Sequence, residues 1–208
     1  SLLQCEVDHT TGVNLNVNSG IERSYIHDNT GSGIVIAYSS RVIGNVVASN
    51  TGASSDGINM ANSSTIRDNV VYGNGRDGIR ASANNSFTAG AGQIVNNILM
   101  NNTGYGINQP TAKTHGDFPW IKNNAFWNNT LGARNNVNVS PGDVTLTGDP
   151  FVDASTGDFR LDNTAGEGAA CRAAGYPGVM PGLNASTIGY VDIGAFQHLE
   201  SSGGGLRL

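Results

Sequence analysis

Charged residues are scarce in this chain. Only 13% of its 208 residues are Asp, Glu, Lys or Arg, about half of the ordinary share of ~25%. The net charge is −5, and no basic cluster of the kind that binds nucleic acid is present. No apolar run approaches the ~20 residues that a membrane-spanning helix needs. The composition therefore argues against a nucleic-acid partner and against a membrane span.

Cysteine is scarce as well, with only Cys5 and Cys171. Neither has a second Cys or a His at metal-ligand spacing, so no redox or metal role is predicted, and Cys5 is interpreted as a small core residue. If the repeats described below stack, about six rungs at ~4.8 Å each separate the two cysteines. A disulfide needs Cα atoms within ~7 Å. No intrachain disulfide is therefore expected, unless the C-terminal segment folds back along the whole array.

Glycine and asparagine are abundant, with 29 Gly and 26 Asn, and they recur at regular positions. Residues 42–58 and 66–79 repeat one phrase: an apolar residue, two variable residues, Asn, two β-branched residues, two more residues, Asn, a loop and Gly-Ile. The second Asn of the phrase recurs at spacings of 21, 24, 28 and 27, as Asn29, Asn50, Asn74, Asn102 and Asn129. A phrase that recurs at a nearly constant period predicts a solenoid, with the length differences confined to loops.

Each repeat contains three short apolar segments separated by Asn and Gly, which predicts three strands per rung and no helix. The first Asn of each phrase is expected to form a ladder in which every side-chain amide donates to one neighbour and accepts from the other. Asn also tolerates the left-handed backbone of a tight corner. A second corner is marked by Gly33, Gly57, Gly78, Gly106 and Gly132. We interpret these Asn and Gly residues as architecture and not as catalytic groups.

The repeat resembles the parallel β-helix repeat family, which includes pectate-lyase-like enzymes, phage tailspikes and many secreted bacterial proteins. The resemblance covers roughly residues 1–140. It implies an all-β fold, a right-handed single-stranded parallel β-helix of about six to seven rungs with an irregular C-terminal cap, and it implies no particular activity. It also implies a location outside the cell or on a virion or cell surface. Because the chain begins inside the pattern, without a visible signal peptide, we expect a fragment or mature form of a longer precursor.

The pattern changes after residue 140. Residues 149–153 and 157–161 are predicted to add a last rung, so that the rungs occupy residues 1–161. Residues 162–199 are predicted to wrap the open end, because an uncovered last rung exposes apolar side chains and strand edges. The Gly-rich residues 200–208 are predicted to form a flexible tail.

The outer face of the Gly-Ile strands is the predicted ligand groove. When the Ile of each rung points inward, the residue after it points outward, which gives Val35, Asn59, Arg80, Asn108 and Arg134. The residues before the glycines flank the same face: Ser32, Asp56, Asp77, Tyr105 and Leu131. Loops 82–92 and 109–119 are expected to overhang one edge and residues 52–56 the other. Stacked rungs between such loops form a groove that suits an extended ligand.

The groove predicts an acidic polysaccharide as ligand. A further hypothesis is that the protein depolymerises this ligand, as a lyase or a glycoside hydrolase. The predicted substrate-binding residues are Asn59, Tyr105, Asn108, Lys113 and Arg134, and the predicted catalytic residues are Asp56, Asp77, Arg80 and His115. In the lyases that the repeat resembles, Arg, Lys or a cation neutralises a uronate carboxylate, and a basic side chain abstracts the adjacent proton. Arg80 is the candidate for base or carboxylate clamp, with Lys113 or His115 assisting.

Two alternatives remain open for these residues. Asp56 and Asp77 could act as acid and base of a hydrolysis. Equally, surface loops simply carry polar residues, and Asp77 and Arg80 form a weak ion pair.

The catalytic motifs of the known members are missing. Residues 54–58 are similar to the Asn-Thr-Asp-Gly phrase of polygalacturonases, but the paired-Asp and Gly-His-Gly phrases of those enzymes are absent. The Asp-Pro-His-Asp phrase of alginate epimerases and the calcium cluster of pectate lyases are absent too. No metal site and no cofactor are therefore predicted, and calcium binding is not supported by any motif in the sequence. Whether the protein is an enzyme stays open.

A second outer surface predicts an interface. If the middle residue of the Asn-flanked strand points inward, its neighbours form an apolar outer face of Val46, Val70, Tyr72, Ile98, Met100 and Trp127. A contiguous exposed apolar face usually binds a partner. The second function hypothesis is therefore a non-catalytic solenoid of a phage tail or cell-surface fibre that forms homo-oligomers through this face. The alternative is that loops or the C-terminal segment bury it.

Overall fold

The computed structural model describes residues 2–60, 63–81, 92–110, 120–176 and 191–197. The chain winds into successive rungs, and each rung contributes one short strand to each of three parallel sheets. Sheet A contains β1 (Leu2–Leu3), β4 (Gly20–Glu22), β7 (Arg41–Ile43), β10 (Thr65–Arg67), β13 (Gln93–Val95) and β16 (Trp120–Lys122).

The other two sheets follow the same order along the chain. Sheet B contains β2 (Glu6–Asp8), β5 (Tyr25–His27), β8 (Val46–Ala48), β11 (Val70–Tyr72), β14 (Ile98–Met100), β17 (Ala125–Trp127) and β19 (Val144–Thr145). Sheet C contains β3 (Val13–Leu15), β6 (Ile34–Ile36), β9 (Ile58–Met60), β12 (Ile79–Ala81), β15 (Tyr105–Asn108) and β18 (Gly132–Asn135). The predicted all-β parallel β-helix is confirmed.

One continuous core fills the space between the three sheets. The middle residue of each sheet A and sheet B strand and the Ile of each Gly-Ile phrase point into it, and Ile66, Val71 and Ile79 of one rung are fully buried. Consecutive rungs stack like residues on like, since Ile58 pairs with Ile79 and Ile79 with Ile107. The apolar positions of the repeat are therefore apolar because every rung closes over the next one.

The predicted asparagine ladder forms. Asn69 Nδ2 donates to Asn97 Oδ1 at 2.9 Å and to the Val42 carbonyl at 3.0 Å, while Asn69 Oδ1 accepts from both nitrogens of Asn45. A second ladder joins Asn29, Asn50, Asn74, Asn102 and Asn129 in the same way. All of these amides are buried, so each finds its hydrogen-bond partners in the neighbouring rungs.

The corner geometry differs from the prediction in one respect. The left-handed backbone is taken by the residue before each ladder Asn, for example Asp68 before Asn69 and Gly73 before Asn74. The Gly of each Gly-Ile phrase is needed for close packing, since a Cβ on Gly57 would lie 2.3 Å from Val71 Cγ1. The ladder Asn therefore forms the hydrogen bonds between rungs, and the residue before it adopts the left-handed backbone that the turn requires.

The prediction of an exposed apolar interface is wrong. Val46, Val70, Ile98 and Met100 are all less than 9% exposed, and Tyr72 and Trp127 are half-buried. They pack against residues of the C-terminal segment in a second apolar cluster, whose buried members there are Phe151, Ala154, Phe159, Leu161, Cys171 and Ile193. The C-terminal segment folds back over sheet B and covers the surface on which the oligomer hypothesis depended.

The prediction that residues 149–161 add a last rung is also wrong. β20 (Phe151–Asp153) and β21 (Asp158–Leu161) form an antiparallel hairpin around a short 3₁₀ helix (Ala154–Thr156) and pair with no strand of the solenoid. A four-residue helix, α1 (Gly168–Cys171), follows. The hairpin crosses the rungs, because Phe159 contacts the ring of Tyr25 near the start of the chain and the ring of Tyr72. Cys5 and Cys171 are both free.

In the described ranges no helix is long and apolar enough to cross a membrane.

Candidate functional site

The outer face of sheet C presents a column of side chains that are polar in every rung except that of Val35. The strand register aligns Asn14, Val35, Asn59, Arg80, Asn108 and Asn135, one from each rung. Neighbouring members lie one rung apart, ~4.8 Å. Asn135 Nδ2 donates to Asn108 Oδ1 at 3.0 Å, so the amides are ordered along the column. The prediction that Asn59, Arg80 and Asn108 share one face is confirmed by this register.

Arg134 does not belong to this column, and its predicted position is wrong. The register pairs Arg134 with Ile107, so it takes the inward position that isoleucine occupies in the earlier rungs, and Asn135 takes the outward one. The Arg134 guanidinium lies 4.2 Å from the centre of the Phe126 ring and donates to Asp143 Oδ2. Arg134 therefore closes the end of the core through a cation–π contact and an ion pair. Ala133, and not Gly132, takes the position of Gly106 in the preceding rung, and Arg134 follows Asn129 by five residues, as Ile107 follows Asn102.

Asp56 is held by an arginine that the sequence reasoning missed. Its carboxylate is fully buried and accepts two hydrogen bonds from Arg76, Nε to Oδ1 at 2.7 Å and Nη2 to Oδ2 at 2.6 Å. Burial raises the pKa of Asp56 above its usual 3.8, and the hydrogen bonds and charge of Arg76 offset only part of that rise. Asn59 Nδ2 also donates to Asp56, at 3.2 Å. The Arg76 side chain remains 32% exposed.

Asp77 is bound just as closely. Its Oδ1 accepts from the backbone N–H of Tyr105 at 2.9 Å, and its Oδ2 accepts from Asn108 Nδ2 at 2.6 Å and Arg80 Nη1 at 2.9 Å. The side chain is 2% exposed. Asp56 and Asp77 also belong to one corner column, since Asp56 Oδ1 lies 3.4 Å from the Asp77 backbone nitrogen that donates to it. Both carboxylates thus tie one rung to the next and orient an arginine.

These contacts surround a shallow depression of about 210 Å³ beside the polar column. Its lining includes Arg76, Arg80, Tyr105, Asn108 and the exposed Leu131. A guanidinium carries five N–H donors. Among the described contacts Arg76 uses two of these donors on Asp56, and Arg80 uses one on Asp77. The depression therefore offers N–H donors, amides and one aromatic ring, with its positive charges paired to buried carboxylates.

Several predicted residues lie outside the described part of the chain. Lys113 and His115 fall there, as do most of the loops 82–92 and 109–119. The structure brings together Asp56, Asp77, Arg80, Asn59, Asn108 and Tyr105, and it does not test their catalytic or substrate-binding roles. Within the described ranges no group of three or more His, Cys, Asp or Glu residues could hold a metal ion.

Three residues of this region escaped the sequence reasoning. Arg76 stands directly before Asp77 at the Gly corner, and the only signal was its position at the same corner as Asp56 one rung earlier. Asn135 was missed because Gly132 was taken as the corner glycine of its rung. Asp143 continues the first asparagine ladder, because its Oδ1 accepts from the backbone N–H of Asn124 at 2.8 Å, but an acid at a ladder position breaks the Asn pattern.

Comparisons with known proteins agree with this architecture. A family model described as "Right handed beta helix region" matches residues 2–131. This range includes strands β1 to β17 of the three sheets. No curated protein and no solved structure matches the chain.

Proposed function

Because the chain belongs to the right-handed β-helix family, we propose that it is a polysaccharide-binding β-helix whose ligand, an acidic glycan, lies along the outer face of sheet C. The observation that carries the proposal is the register column of Asn59, Arg80, Asn108 and Asn135 beside the depression that Arg76 and Tyr105 line. The proposal includes a location outside the cell or on a virion or cell surface.

The chemistry of the column suits sugars. Side-chain amides both donate and accept, as sugar hydroxyl groups do, and Asn59, Asn108 and Asn135 flank Arg80 in a column whose members are one rung, ~4.8 Å, apart. The remaining guanidinium N–H donors of Arg76 and Arg80 match the two oxygens of a uronate carboxylate. Tyr105 supplies an aromatic ring with a polar end at the same place.

Binding has better support than cleavage. A general acid or base must reach the reacting atoms of the substrate, whereas the carboxylates of Asp56 and Asp77 are buried and accept hydrogen bonds from Arg76, Arg80 and Asn108. Their supported role is to hold the two arginines in place. The alternative of an oligomeric structural solenoid loses its main argument, since the C-terminal segment covers its apolar face.

Affinity electrophoresis in gels that contain alginate, polygalacturonate or uncharged dextran tests the proposal. We expect retardation by the acidic glycans, and about tenfold weaker binding for Tyr105→Ser and Arg80→Gln. Tyr105→Ser keeps the backbone N–H that binds Asp77, so it separates ligand contact from folding. Arg160→Gln is the matched control, because Arg160 is 68% exposed and pairs with Asp158 on the C-terminal hairpin.

The absence of binding to any acidic glycan of a broad panel would contradict the proposal. Release of reducing ends or unsaturated products that Asp77→Asn abolishes would contradict the preference for binding over cleavage and would assign depolymerisation to this face.

A further inference from the structure

The outer face of sheet A carries a different charge pattern from that of sheet C. The register aligns the residues that flank the inward side chains in two columns. These are Gly20, Arg41, Thr65, Gln93 and Trp120, and beside them Leu3, Glu22, Ile43, Arg67, Val95 and Lys122, of which Gly20 and Val95 are buried. Arg23 follows β4 at the edge of the same face. Four basic side chains thus lie here against two acidic ones, Glu22 and Asp68, in a chain whose net charge is −5.

Among the described residues, few of the positive charges on this face are paired with a carboxylate. Within the described ranges only Arg67 has a carboxylate at ion-pair distance, Asp68 at 2.7 Å, while Arg23, Arg41 and Lys122 have none. Arg23 and Arg41 are exposed. On sheet C, by contrast, Arg76 and Arg80 each pair with a buried carboxylate. Paired charges attract a distant anion weakly, whereas unpaired ones attract it over about a Debye length, ~8–10 Å at moderate salt.

An ordered aromatic pair lies at one end of the face. The rings of Trp120 and Tyr176 meet edge to face with centroids 4.8 Å apart, and Lys122 Nζ lies 5.1 Å from the first ring and 5.4 Å from the second. Tyr176 is held in place by Asn96, whose side chain accepts from the Tyr176 N–H at 2.6 Å and donates to its carbonyl at 2.9 Å. A half-buried indole beside a cation is a suitable contact for a sugar ring.

We propose that the outer face of sheet A binds an acidic polysaccharide along the solenoid axis. Arg41 and Lys122 contact its carboxylate or sulfate groups, and Trp120 packs on a sugar ring. Arg41 and Trp120 share one column three rungs apart, ~14 Å, with Thr65 and Gln93 between them for the sugar hydroxyls. The inference does not depend on the site proposed on sheet C.

The charge balance favours a polysaccharide over nucleic acid. Double-stranded DNA carries one negative charge per ~1.7 Å, and proteins that bind it neutralise many phosphates at once. A chain of net charge −5 with four basic side chains on this face offers too few cations for that density. A uronate polymer carries at most one charge per sugar, so a few cations spaced over ~14 Å match it.

The double variant Arg41→Gln/Lys122→Gln tests the proposal, with binding measured by isothermal titration against alginate, dextran sulfate, uncharged dextran and single-stranded DNA. We expect about tenfold or greater loss of alginate affinity, and a wild-type affinity that falls as salt is added. Arg160→Gln is the exposed-arginine control, and thermal unfolding verifies that each variant is folded. Dextran and dextran sulfate share a backbone, so their difference measures the contribution of charge, and alginate against dextran sulfate separates carboxylate from sulfate recognition.

Each outcome is decisive for one face. Loss of alginate binding in the double variant, with Tyr105→Ser unchanged, supports the sheet A site and contradicts the sheet C proposal. An unchanged affinity in the double variant overturns the sheet A inference, whatever Tyr105→Ser does. Tighter binding to single-stranded DNA than to alginate, lost in the double variant, overturns the assignment of the ligand class.

Discussion

At the scale of single residues, one outer corner of the solenoid contains two buried carboxylates, Asp56 and Asp77, that accept hydrogen bonds from the neighbouring rung. Asp56 is the clearest case, because its carboxylate is fully buried and its cation, Arg76, is the next rung's residue at the same corner. Removing one member of a buried ion pair costs ~3–5 kcal/mol, much more than an exposed pair contributes. Local pairs of this kind hold the rungs together around the candidate site.

Replacing Arg76 tests the strength of this pair. We expect Arg76→Gln to lower the free energy of unfolding by about 2–3 kcal/mol near neutral pH, less than for a fully buried pair because Arg76 is 32% exposed. Without the arginine the pKa of Asp56 rises further, so the loss should shrink as the pH falls and the carboxyl becomes protonated. Urea denaturation at several pH values measures both effects.

Arg67→Gln is the matched control for Arg76→Gln. Arg67 is 43% exposed and pairs with Asp68 at a corner on the other side of the solenoid, so its removal should cost no more than about 1 kcal/mol. Equal losses in the two variants would contradict the interpretation of Asp56 as a buried charge.

His27 links the first two rungs in a manner that depends on pH. Its ring contacts Glu6 Oε1 at 2.9 Å in the preceding rung and Asp28 Oδ2 at 2.6 Å, and it stacks on Tyr25. Burial lowers the pKa of His27, but the hydrogen bonds and charges of Asp28 and Glu6 outweigh burial and raise it above 6.5. The folded state therefore favours the protonated ring more than the unfolded state does.

A stability profile across pH tests this link. The contribution of His27 should be fully present below its unfolded pKa and should be lost as the pH rises through the raised folded value. We expect the free energy of unfolding to fall as the pH rises above about 6.5, the usual pKa of a free His, and His27→Gln to remove that part of the slope. An identical slope in the variant would assign the dependence to other groups.

At the scale of elements, the strands are only two to four residues long and depend on the asparagine ladders between them. Asn69 makes four hydrogen bonds to the rungs above and below it, and all of them are buried. Removing such a side chain leaves several buried donors and acceptors without partners, each costing ~1–3 kcal/mol. The ladder is therefore a main determinant of how firmly consecutive rungs are joined.

Asn69→Ala should lower the free energy of unfolding by about 2–4 kcal/mol, because it interrupts the first ladder in the middle of the stack. Asn163→Ala is the control, since Asn163 is exposed in the C-terminal segment and should change stability by less than about 0.5 kcal/mol. Urea denaturation followed by circular dichroism compares the two. Similar losses would show that the ladder adds little to stability.

Element-scale features were also the most predictable from the amino-acid pattern. The three strands per rung, the inward isoleucines and the ladder partners follow from a repeat in which each position has the same neighbours in every copy. The prediction failed at β18, where Gly132 was taken as the corner glycine although the register gives that position to Ala133, with Arg134 inward and Asn135 outward. An alignment error of one residue reverses the predicted face of each side chain. The signal for the correct register was the spacing of five residues from Asn129 to Arg134, which equals that from Asn102 to Ile107.

At the scale of the whole molecule, the C-terminal segment acts as a cover for sheet B. Phe159 is 3% exposed and contacts the rings of Tyr25, Tyr72 and Phe151 with centroids 5.2–6.3 Å apart. It thereby joins the hairpin to strands β5 and β11 of sheet B. The apolar outer face that the repeat creates on sheet B is buried by the C-terminal segment of the same chain.

Phe159→Ala should lower the free energy of unfolding by about 3–4 kcal/mol, the usual cost of truncating a buried Phe, and should increase binding of a hydrophobic dye to the partly uncovered sheet B. Phe196→Ala is the control, because Phe196 is 39% exposed and its truncation should cost far less. Dye fluorescence under native conditions, together with urea denaturation, checks both expectations. An unchanged dye signal in Phe159→Ala would contradict the role of the hairpin as a cover.

The repeat in the sequence was sufficient to predict the parallel β-helix, its core and its ladders, because stacking makes the environment of each position periodic, and periodic environments select periodic residues. The position of the C-terminal segment and the pairing of Asp56 with Arg76 were decided only by the tertiary structure. Residues 149–161 contain strand-like phrases whose partner is not encoded locally, so the same phrases suit a last rung or a hairpin. The hairpin is favoured in the folded chain because it buries the apolar outer face of sheet B, which a further rung would have left in contact with water.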